Sequence, residues 1–240
     1  MRASDCGVVI VAAGMGARMG GAAPKQFRPL AGRPLVLWSA SFFDHAASVR
    51  EIVIVAPPGL TALMTSVCVR QGLSRLRGIV AGGARRQDSV QAGVAALSEN
   101  CRLVAVHDAA RPFPPVNFEE GISLARESGA AVFGHAVTDT LKTSSDGRVT
   151  GTMPRAGVWA VQTPQIFRRE VLVKALKHCR CEGIEVTDDA AAVEAAGGTV
   201  CLVHGSRWNL KLTFAEDWPV AEALAHLLER PTPRPEASQP

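Results

Sequence analysis

The chain has 240 residues, of which 47% are hydrophobic and 20% are charged, and its formal net charge is +4 at pH 7. This is enough apolar material for one substantial core, and the charges are interspersed along the chain. A long basic surface for nucleic acid and a membrane-spanning helix of about 18 apolar residues are therefore excluded. A small anionic ligand is enough to explain the positive excess.

The first predicted element is a strand over Val8–Ala13, followed by a loop of small residues that carries two cations. The strand lacks alternating polar positions, as expected when both faces of a parallel sheet are covered. In the loop, Gly14 and Gly16 allow backbone N–H groups to approach an anion closely, and Arg18 and Lys25 add positive charge. The pattern favours a phosphate-binding loop, although a plain tight turn from strand to helix would use the same small residues.

Two familiar phosphate motifs do not match this loop. The dinucleotide fingerprint requires a third glycine where Met19 stands, and the next strand ends in Ala56-Pro57-Pro58 instead of the acid that binds a ribose. A Walker loop requires serine or threonine after its lysine, and Gln26 follows Lys25. The sequence therefore disfavours an NAD-linked oxidoreductase.

Strands and helices then alternate as far as Asp108. The predicted helices are Leu35–Phe43, Leu60–Gln71 and Ser89–Leu97, and the predicted strands are Glu51–Ala56, Arg77–Ala81 and Arg102–Val106. Strands separated by helices require crossover connections, which predicts an α/β fold: a Rossmann-like, mostly parallel sheet with helices on both faces. Because ligands bind such sheets beyond the carboxyl ends of the strands, we expect the loops after the first, third and fourth strands to converge.

The alternation of strands and helices ends after a predicted strand at Ala131–Val137. Residues 138–161 are polar and rich in turns, and Asp146-Gly147 is a hairpin signal within them. We interpret this stretch as a β-arm used for dimerisation, because a hairpin that cannot bury both faces alone commonly packs on a partner subunit. A long surface excursion is the alternative.

The remaining predicted elements complete a single domain over residues 1–230. They are helices over Phe167–Lys177, Asp188–Ala196 and Ala215–Leu228, a strand over Thr199–His204, and an extended segment, Ser206–Thr213, that presents Lys211. Thr187 is the predicted N-cap of the second of these helices. The Pro-rich tail 231–240 is expected to be disordered.

Six cysteines occur mostly within apolar segments and form no C-x-x-C pair. They are typical of small core residues in a reducing compartment, so we expect a cytoplasmic protein. His178-Cys179-x-Cys181 lacks a second ligand pair at zinc spacing, and we expect no metal there.

Two segments at strand ends can carry chemistry. Asp108 is a hard oxygen ligand suited to Mg²⁺ near a triphosphate, or else a structural cap for the backbone that follows it. Gly82–Ser89 has glycines that let a flat base lie against the backbone, and Asp88 or Ser89 can cap the next helix. His107 is interpreted as a core histidine, since no nucleophile accompanies it. Several cations and one metal ligand, without an evident general base, indicate electrostatic catalysis on phosphate by an anionic nucleophile.

Six motifs, taken in order, resemble the 2-C-methyl-D-erythritol 4-phosphate cytidylyltransferase family over about residues 6–228. They are AAGMGARMGGAAPKQF, GGARRQDSV, VHDAARP, the pair VTDTLK and MPRAGVWAVQTPQIF, VTDDAAAVE, and NLKLT. The resemblance implies a nucleotidyltransferase of isoprenoid precursor biosynthesis, in which a phosphate oxygen of methylerythritol phosphate attacks the α-phosphorus of CTP. A ribitol 5-phosphate cytidylyltransferase is the nearest alternative, and a non-catalytic nucleotide-binding scaffold is a more distant one.

The resemblance also implies roles for individual residues. The catalytic residues would be Arg18, Lys25, Arg155 and Lys211. The nucleotide contacts would be Ala12, Ala13, Gly14, Gly16, Gly83, Ser89, Asp108 and Ala109, with Asp108 as the Mg²⁺ ligand. The substrate contacts would be Arg111, Thr140, Arg155, Thr163, Thr187 and Lys211. It further implies a homodimer whose arm reaches into the partner's site. One departure is Ala84, which stands where an acidic residue can lie near the cytosine.

Overall fold

The computed structural model describes residues 4–14 and 24–229 of the chain. Gly16 and Arg18, two of the predicted site residues, lie outside the described residues, as does the predicted disordered tail 231–240.

The strands, in chain order, are β1 (Cys6–Val11), β2 (Pro29–Leu30), β3 (Arg33–Pro34), β4 (Val49–Ala56), β5 (Leu76–Ala81), β6 (Leu103–Asp108), β7 (Ala130–Ala136), β8 (Leu141–Ser145), β9 (Arg148–Met153), β10 (Trp159–Arg168) and β11 (Cys201–His204). Seven of these described strands form one sheet in the order β11-β7-β10-β6-β1-β4-β5. Neighbours are parallel except beside β10, which is antiparallel to both β6 and β7. The predicted mostly parallel sheet is confirmed.

The helices are α1 (Leu35–His45), α2 (Thr61–Gln71), α3 (Arg86–Ala96), α4 (Phe118–Ser128), α5 (Arg169–Cys181), α6 (Asp189–Ala195) and α7 (Asp217–Glu229). Alternate residues of β1 point to opposite faces of the sheet. Val8 and Ile10 pack with α1, α2 and α4 on one face, and Val9 packs with α3, α5 and α6 on the other. Helices therefore cover both faces, as the uninterrupted apolar pattern of the central strands predicts.

The predicted hairpin within residues 138–161 is confirmed as the antiparallel pair β8 and β9. Asp146 and Gly147 both have positive φ angles, 51° and 75°, which a two-residue hairpin turn of the primed type requires. Both strands are largely exposed. The arm therefore projects from the domain, and the chain returns to the central sheet through β10.

Some predicted boundaries are wrong. Phe167 belongs to β10, so α5 begins two residues later than predicted, and α3 begins at Arg86 instead of Ser89. The N-cap of α3 is Arg85, and the N-cap of α6 is Asp188, whose carboxylate accepts a hydrogen bond from the Ala191 N–H at 2.8 Å. Ser89 and Thr187 are therefore not caps, whereas Asp88 caps α3 from its third position, where its carboxylate accepts a hydrogen bond from the Arg85 N–H at 3.2 Å.

No helix among the described residues is both long enough and apolar enough to span a membrane.

Candidate active site

A cavity of about 480 Å³ opens beyond the carboxyl ends of β1, β5 and β6. The predicted convergence of these three loops is therefore confirmed. The predicted site residues that line this cavity are Ala12, Ala13, Gly14, Lys25, Gly83, Ser89, Asp108, Ala109 and Lys211. Arg86, Gln26 and Thr213 line it as well.

Small residues allow the loops after β1 and β5 to meet. A Cβ atom added to Gly82 would lie 2.4 Å from the Ala13 Cβ and 2.8 Å from the Ser89 Oγ, so only glycine fits there. Ser89 accepts a hydrogen bond from the Gly83 N–H (3.1 Å) and donates to the Arg85 carbonyl (3.2 Å). Ser89 thus fixes the glycine loop at the start of α3, where N–H groups and the helix dipole favour an anion.

Asp108 lies between two cations at the end of β6. Its Oδ2 is 2.7 Å from Lys211 Nζ, and its Oδ1 is 3.3 Å from an Arg86 guanidinium nitrogen. Burial disfavours the charged carboxylate, but Arg86 and Lys211 outweigh burial and hold the pKa of Asp108 well below its usual range. The cavity therefore contains an ionised carboxylate whose neighbours are positively charged.

Arg86 is held from both sides, because its second guanidinium nitrogen is 2.9 Å from the buried Asp189. Burial disfavours the charged form of Arg86, but Asp189 and Asp108 outweigh it and raise its pKa. Gln165 in β10 fixes α6, since its Oε1 accepts from the N–H groups of Asp189 and Ala190, both at 3.0 Å. A buried network thus aims Arg86 at the cavity.

Lys25 closes another side of the cavity. Its ammonium group donates to the Leu212 carbonyl at 2.9 Å, which joins it to the segment that carries Lys211. The neighbouring Gln26 is buried and donates to the Ala12 carbonyl at 2.9 Å. These contacts bring together the described residues on either side of 15–23, the stretch that contains Arg18.

Thr163 lies behind Asp108 and does not line the cavity. Its hydroxyl accepts from the Asp108 N–H (3.0 Å). His107 Nε2 faces the Arg111 carbonyl (2.9 Å), which can only accept, so Nε2 carries the ring hydrogen and Nδ1 accepts from the Thr163 hydroxyl (3.2 Å). Burial lowers the pKa of His107 to about 4. His107 is thus a neutral, hydrogen-bonded core histidine, as predicted.

Four other predicted substrate residues also lie outside the cavity lining. Arg111 is partly buried and donates to the Asn209 carbonyl at 2.6 Å. Thr140 and Arg155 are exposed at the base of the arm, where Arg155 donates to the Thr138 carbonyl. Thr187 is exposed next to α6.

Sequence reasoning did not name Arg86, Asp189, Gln165 or Gln26 as site residues. Arg86 is the first residue of α3 and stands in the GGARRQDSV motif, and Asp189 stands in the VTDDAAAVE motif. A strand-end position or a small-residue loop signals a site residue, but nothing in a sequence shows that two segments about a hundred residues apart form an ion pair.

No group of three or more His, Cys, Asp or Glu side chains within residues 4–14 and 24–229 could by itself hold a metal ion.

Comparison with known proteins gives one consistent family. The family model of 2-C-methyl-D-erythritol 4-phosphate cytidylyltransferase matches residues 6–227. The chain is 39% identical over 224 residues to the 2-C-methyl-D-erythritol 4-phosphate cytidylyltransferase of Alkaliphilus oremlandii, covering 92% of this chain and 95% of the relative. It is 41% identical over 224 residues to the bifunctional enzyme IspD/IspF of Desulforudis audaxviator, covering 92% of this chain and 57% of the relative.

Solved structures agree with the sequence comparison. The crystal structure of 2-C-methyl-D-erythritol 4-phosphate cytidylyltransferase from Thermus thermophilus has a TM-score of 0.75 and 36% identity, covering 94% of this chain and all of that one (100%). The 4-diphosphocytidyl-2C-methyl-D-erythritol synthase structure from Anaerococcus prevotii has a TM-score of 0.80 and 25% identity, covering 92% of this chain and 96% of that one. The chain therefore belongs to the 2-C-methyl-D-erythritol 4-phosphate cytidylyltransferase family.

Proposed function

We propose that this chain transfers the cytidylyl group of CTP to the phosphate of 2-C-methyl-D-erythritol 4-phosphate, a step of isoprenoid precursor biosynthesis. A phosphate oxygen of the acceptor forms a bond to the α-phosphorus, and the bond from that phosphorus to pyrophosphate breaks. The products are 4-diphosphocytidyl-2-C-methyl-D-erythritol and pyrophosphate. The observation that carries this proposal is the convergence of Lys25, Arg86 and Lys211 with Asp108 on one cavity.

The charges of the cavity suit this reaction. Both reactants are polyanions, so their approach requires positive charge placed before they meet. Lys25, Arg86 and Lys211 supply it, and Arg18, which lies outside the described residues, is proposed to join them. The nucleophile is already an anion and needs no general base, which agrees with a His107 that is neutral and fully hydrogen-bonded. We expect Lys25→Ala and Arg18→Ala each to lower turnover by about 10²–10³.

The nucleotide is proposed to bind across Ala12–Gly14 and the loop that contains Gly83. Glycine at position 83 and alanine at position 84 leave backbone groups accessible to a flat base. Since Ala84 carries no polar side-chain atoms, the contact to cytosine is assigned to the backbone here.

Asp108 fits the role of Mg²⁺ ligand. Among the described lining residues it is the only acid, it is ionised, and its two oxygens have more acceptor positions than Arg86 and Lys211 occupy. Mg²⁺ is commonly held by one or two carboxylates together with substrate phosphates. When bound, the ion would neutralise charge on the triphosphate. Asp108 would hold it, while Lys211 and Arg86 orient the carboxylate.

We also propose a homodimer formed through the arm. Thr140 and Arg155 are exposed on the arm and do not line the cavity of their own chain, so they would serve the site of a partner. Val149 and Met153 of β9 are 66% and 46% exposed, apolar surface that a partner would cover. Sedimentation should give twice the chain mass of 25.3 kDa, and Val149→Lys should shift it towards the monomer. A monomeric wild type would contradict the dimer.

The location proposed for the chain is the cytoplasm. All six cysteines are free thiols and four of them are buried, which suits a reducing compartment.

The experiment that tests the proposed function is pyrophosphate release by the purified chain with CTP and Mg²⁺. Methylerythritol 4-phosphate and ribitol 5-phosphate are supplied in parallel reactions. Release with the first alone supports the proposal, and release with the second alone would keep the mechanism but change the acceptor. No release with either would favour a non-catalytic nucleotide-binding scaffold.

A further inference from the structure

Lys211 lies on a segment, residues 205–213, that forms neither helix nor strand. Its ammonium group nevertheless reaches Asp108 at 2.7 Å. Main-chain bonds hold the two ends of this segment: the Gly205 N–H donates to the Gly134 carbonyl (2.7 Å), and the Leu212 N–H donates to the Ala110 carbonyl (2.9 Å). The middle of the segment is fixed by side chains.

The side-chain amides of Asn209 and Gln162, both buried, hold the middle of the segment. Asn209, fully buried, donates from Nδ2 to Gln162 Oε1 (3.2 Å) and to the Thr163 carbonyl (2.8 Å). Gln162, 4% exposed in β10, donates from Nε2 to the carbonyls of Ser206 (2.9 Å) and Asn209 (3.3 Å). The pair therefore joins the middle of the segment to a central strand of the sheet.

The same pair reaches a second cation. The Asn209 carbonyl accepts from an Arg111 guanidinium nitrogen at 2.6 Å, and the Arg111 N–H donates to the carbonyl of Asp108, the last residue of β6, at 2.9 Å. Lys211 and Arg111 are two of the three cations that the family resemblance assigns to the acceptor, and Arg155 is the third. Neither Gln162 nor Asn209 lines the cavity, so the pair acts on a substrate only indirectly; of the two cations that it supports, Lys211 lines the cavity and Arg111 lies outside the lining.

The segment is also closely packed against the amide pair at Gly205. A Cβ atom added to Gly205 would be 2.5 Å from Gln162 Oε1 and 3.2 Å from the Gly134 nitrogen. A shorter side chain at position 162 would therefore leave a gap directly beneath the segment. Loss of the amide would leave the Ser206 carbonyl without its donor, whereas the Asn209 carbonyl would keep Arg111. A displacement of about 1 Å in a charged group is enough to lower the reaction rate by a large factor.

We infer that Gln162 and Asn209 are positioning residues for the acceptor phosphate: they hold Lys211 and Arg111 in place without touching either substrate. This inference rests on the proposed function. The amide pair is expected to affect the acceptor side of the site and not the nucleotide side, because the nucleotide contacts at Ala12–Gly14 and Gly83 come from other loops. If the amide pair had only a structural role, its loss would lower the stability of the fold and would not weaken binding of the acceptor more than binding of CTP.

The test is steady-state kinetics of Gln162→Met, which keeps the side-chain length and removes the amide, with both substrates varied. We expect the KM for methylerythritol 4-phosphate to rise about 10-fold, while the KM for CTP stays within about twofold of wild type. Gln162→Asn, which keeps the amide but shortens its reach, should show the same selective effect to a smaller extent.

The matched control is Asp44→Asn. Asp44 is also buried and fixes an irregular segment, through the N–H groups of Ser74 (3.1 Å) and Arg75 (2.7 Å), but it does not line the cavity. It should lower the melting temperature and leave both KM values unchanged.

Three results would overturn the inference: unchanged KM values in a folded Gln162→Met, an equal rise in both KM values, or unfolding of both Gln162 variants, which would make the pair a requirement of the fold. A wild type without activity towards methylerythritol 4-phosphate would instead overturn the proposed function.

Discussion

Replacing Lys211 by alanine tests the electrostatic account of the site. A unit charge about 4 Å from a phosphate oxygen interacts with it by about 4 kcal/mol at an effective dielectric constant of about 20. The Lys211 side chain is 45% exposed, so water and salt screen part of this interaction. We therefore expect a loss of about 3 kcal/mol of transition-state stabilisation, or about 10² in kcat/KM.

The fold should survive this change. Lys211 contributes one partly exposed ion pair, while Asp108 retains Arg86 at 3.3 Å and the main chain retains the Leu212 to Ala110 bond. The assay is pyrophosphate release with both substrates varied, alongside thermal unfolding. Lys174→Ala removes the same charge from the exposed face of α5. Because Lys174 does not line the cavity, this variant should leave kcat/KM unchanged. A Lys211→Ala enzyme within about threefold of wild type would refute the reasoning.

Three further predictions concern the scaffold. Asp189→Asn should lower kcat/KM by about 10-fold in the same assay, because Arg86 keeps Asp108 but loses the 2.9 Å partner that aims it; unchanged activity would remove Asp189 from the site. Burial opposes ionisation of Asp44, but hydrogen bonds from Arg75 and Ser74 outweigh it and lower its pKa, so its stabilising effect is present above about pH 4 and is lost as pH falls. Urea unfolding should accordingly show wild type more stable than Asp44→Asn by about 1–3 kcal/mol at pH 6, with the difference shrinking below pH 4; a constant difference would contradict this. Gly93→Ala should destabilise the fold by about 1–3 kcal/mol, since the added Cβ would lie 2.3 Å from Val9 Cγ1, whereas Gly78→Ala meets nothing within 4 Å and should have a much smaller effect on the melting temperature.

The sequence predicted the parallel half of the sheet because its strands are uninterrupted apolar runs. β10 was missed because Gln162, Thr163, Pro164 and Gln165 interrupt the apolar pattern. The two glutamines are buried only because their amides bond to Asn209 and to Asp188 and Asp189. Those partners lie 23 to 47 residues further along the chain, beyond the reach of any local pattern.

In the candidate site, too, local sequence patterns identify some residues, while others depend on contacts between distant parts of the chain. Lys25, Asp108 and Lys211 could be named because residue type, strand ends and family motifs all indicated them. Of the two adjacent cations after β5, Arg85 pairs with Asp88 at 2.9 Å, while Arg86 bridges Asp108 and Asp189. Which of the two lies between carboxylates depends on the packing of α6 against the sheet. Periodicity cannot supply that information.

Isotope tracing tests the central claim most directly, namely that the acceptor phosphate attacks the α-phosphorus of CTP. The purified chain is given CTP, Mg²⁺ and methylerythritol 4-phosphate whose phosphate oxygens carry ¹⁸O, and the products are measured by mass spectrometry. The account predicts a cytidine diphosphate alcohol that retains all of the label, with unlabelled pyrophosphate in equal amount. Label in pyrophosphate or in free phosphate, or no cytidine product at all, would contradict it.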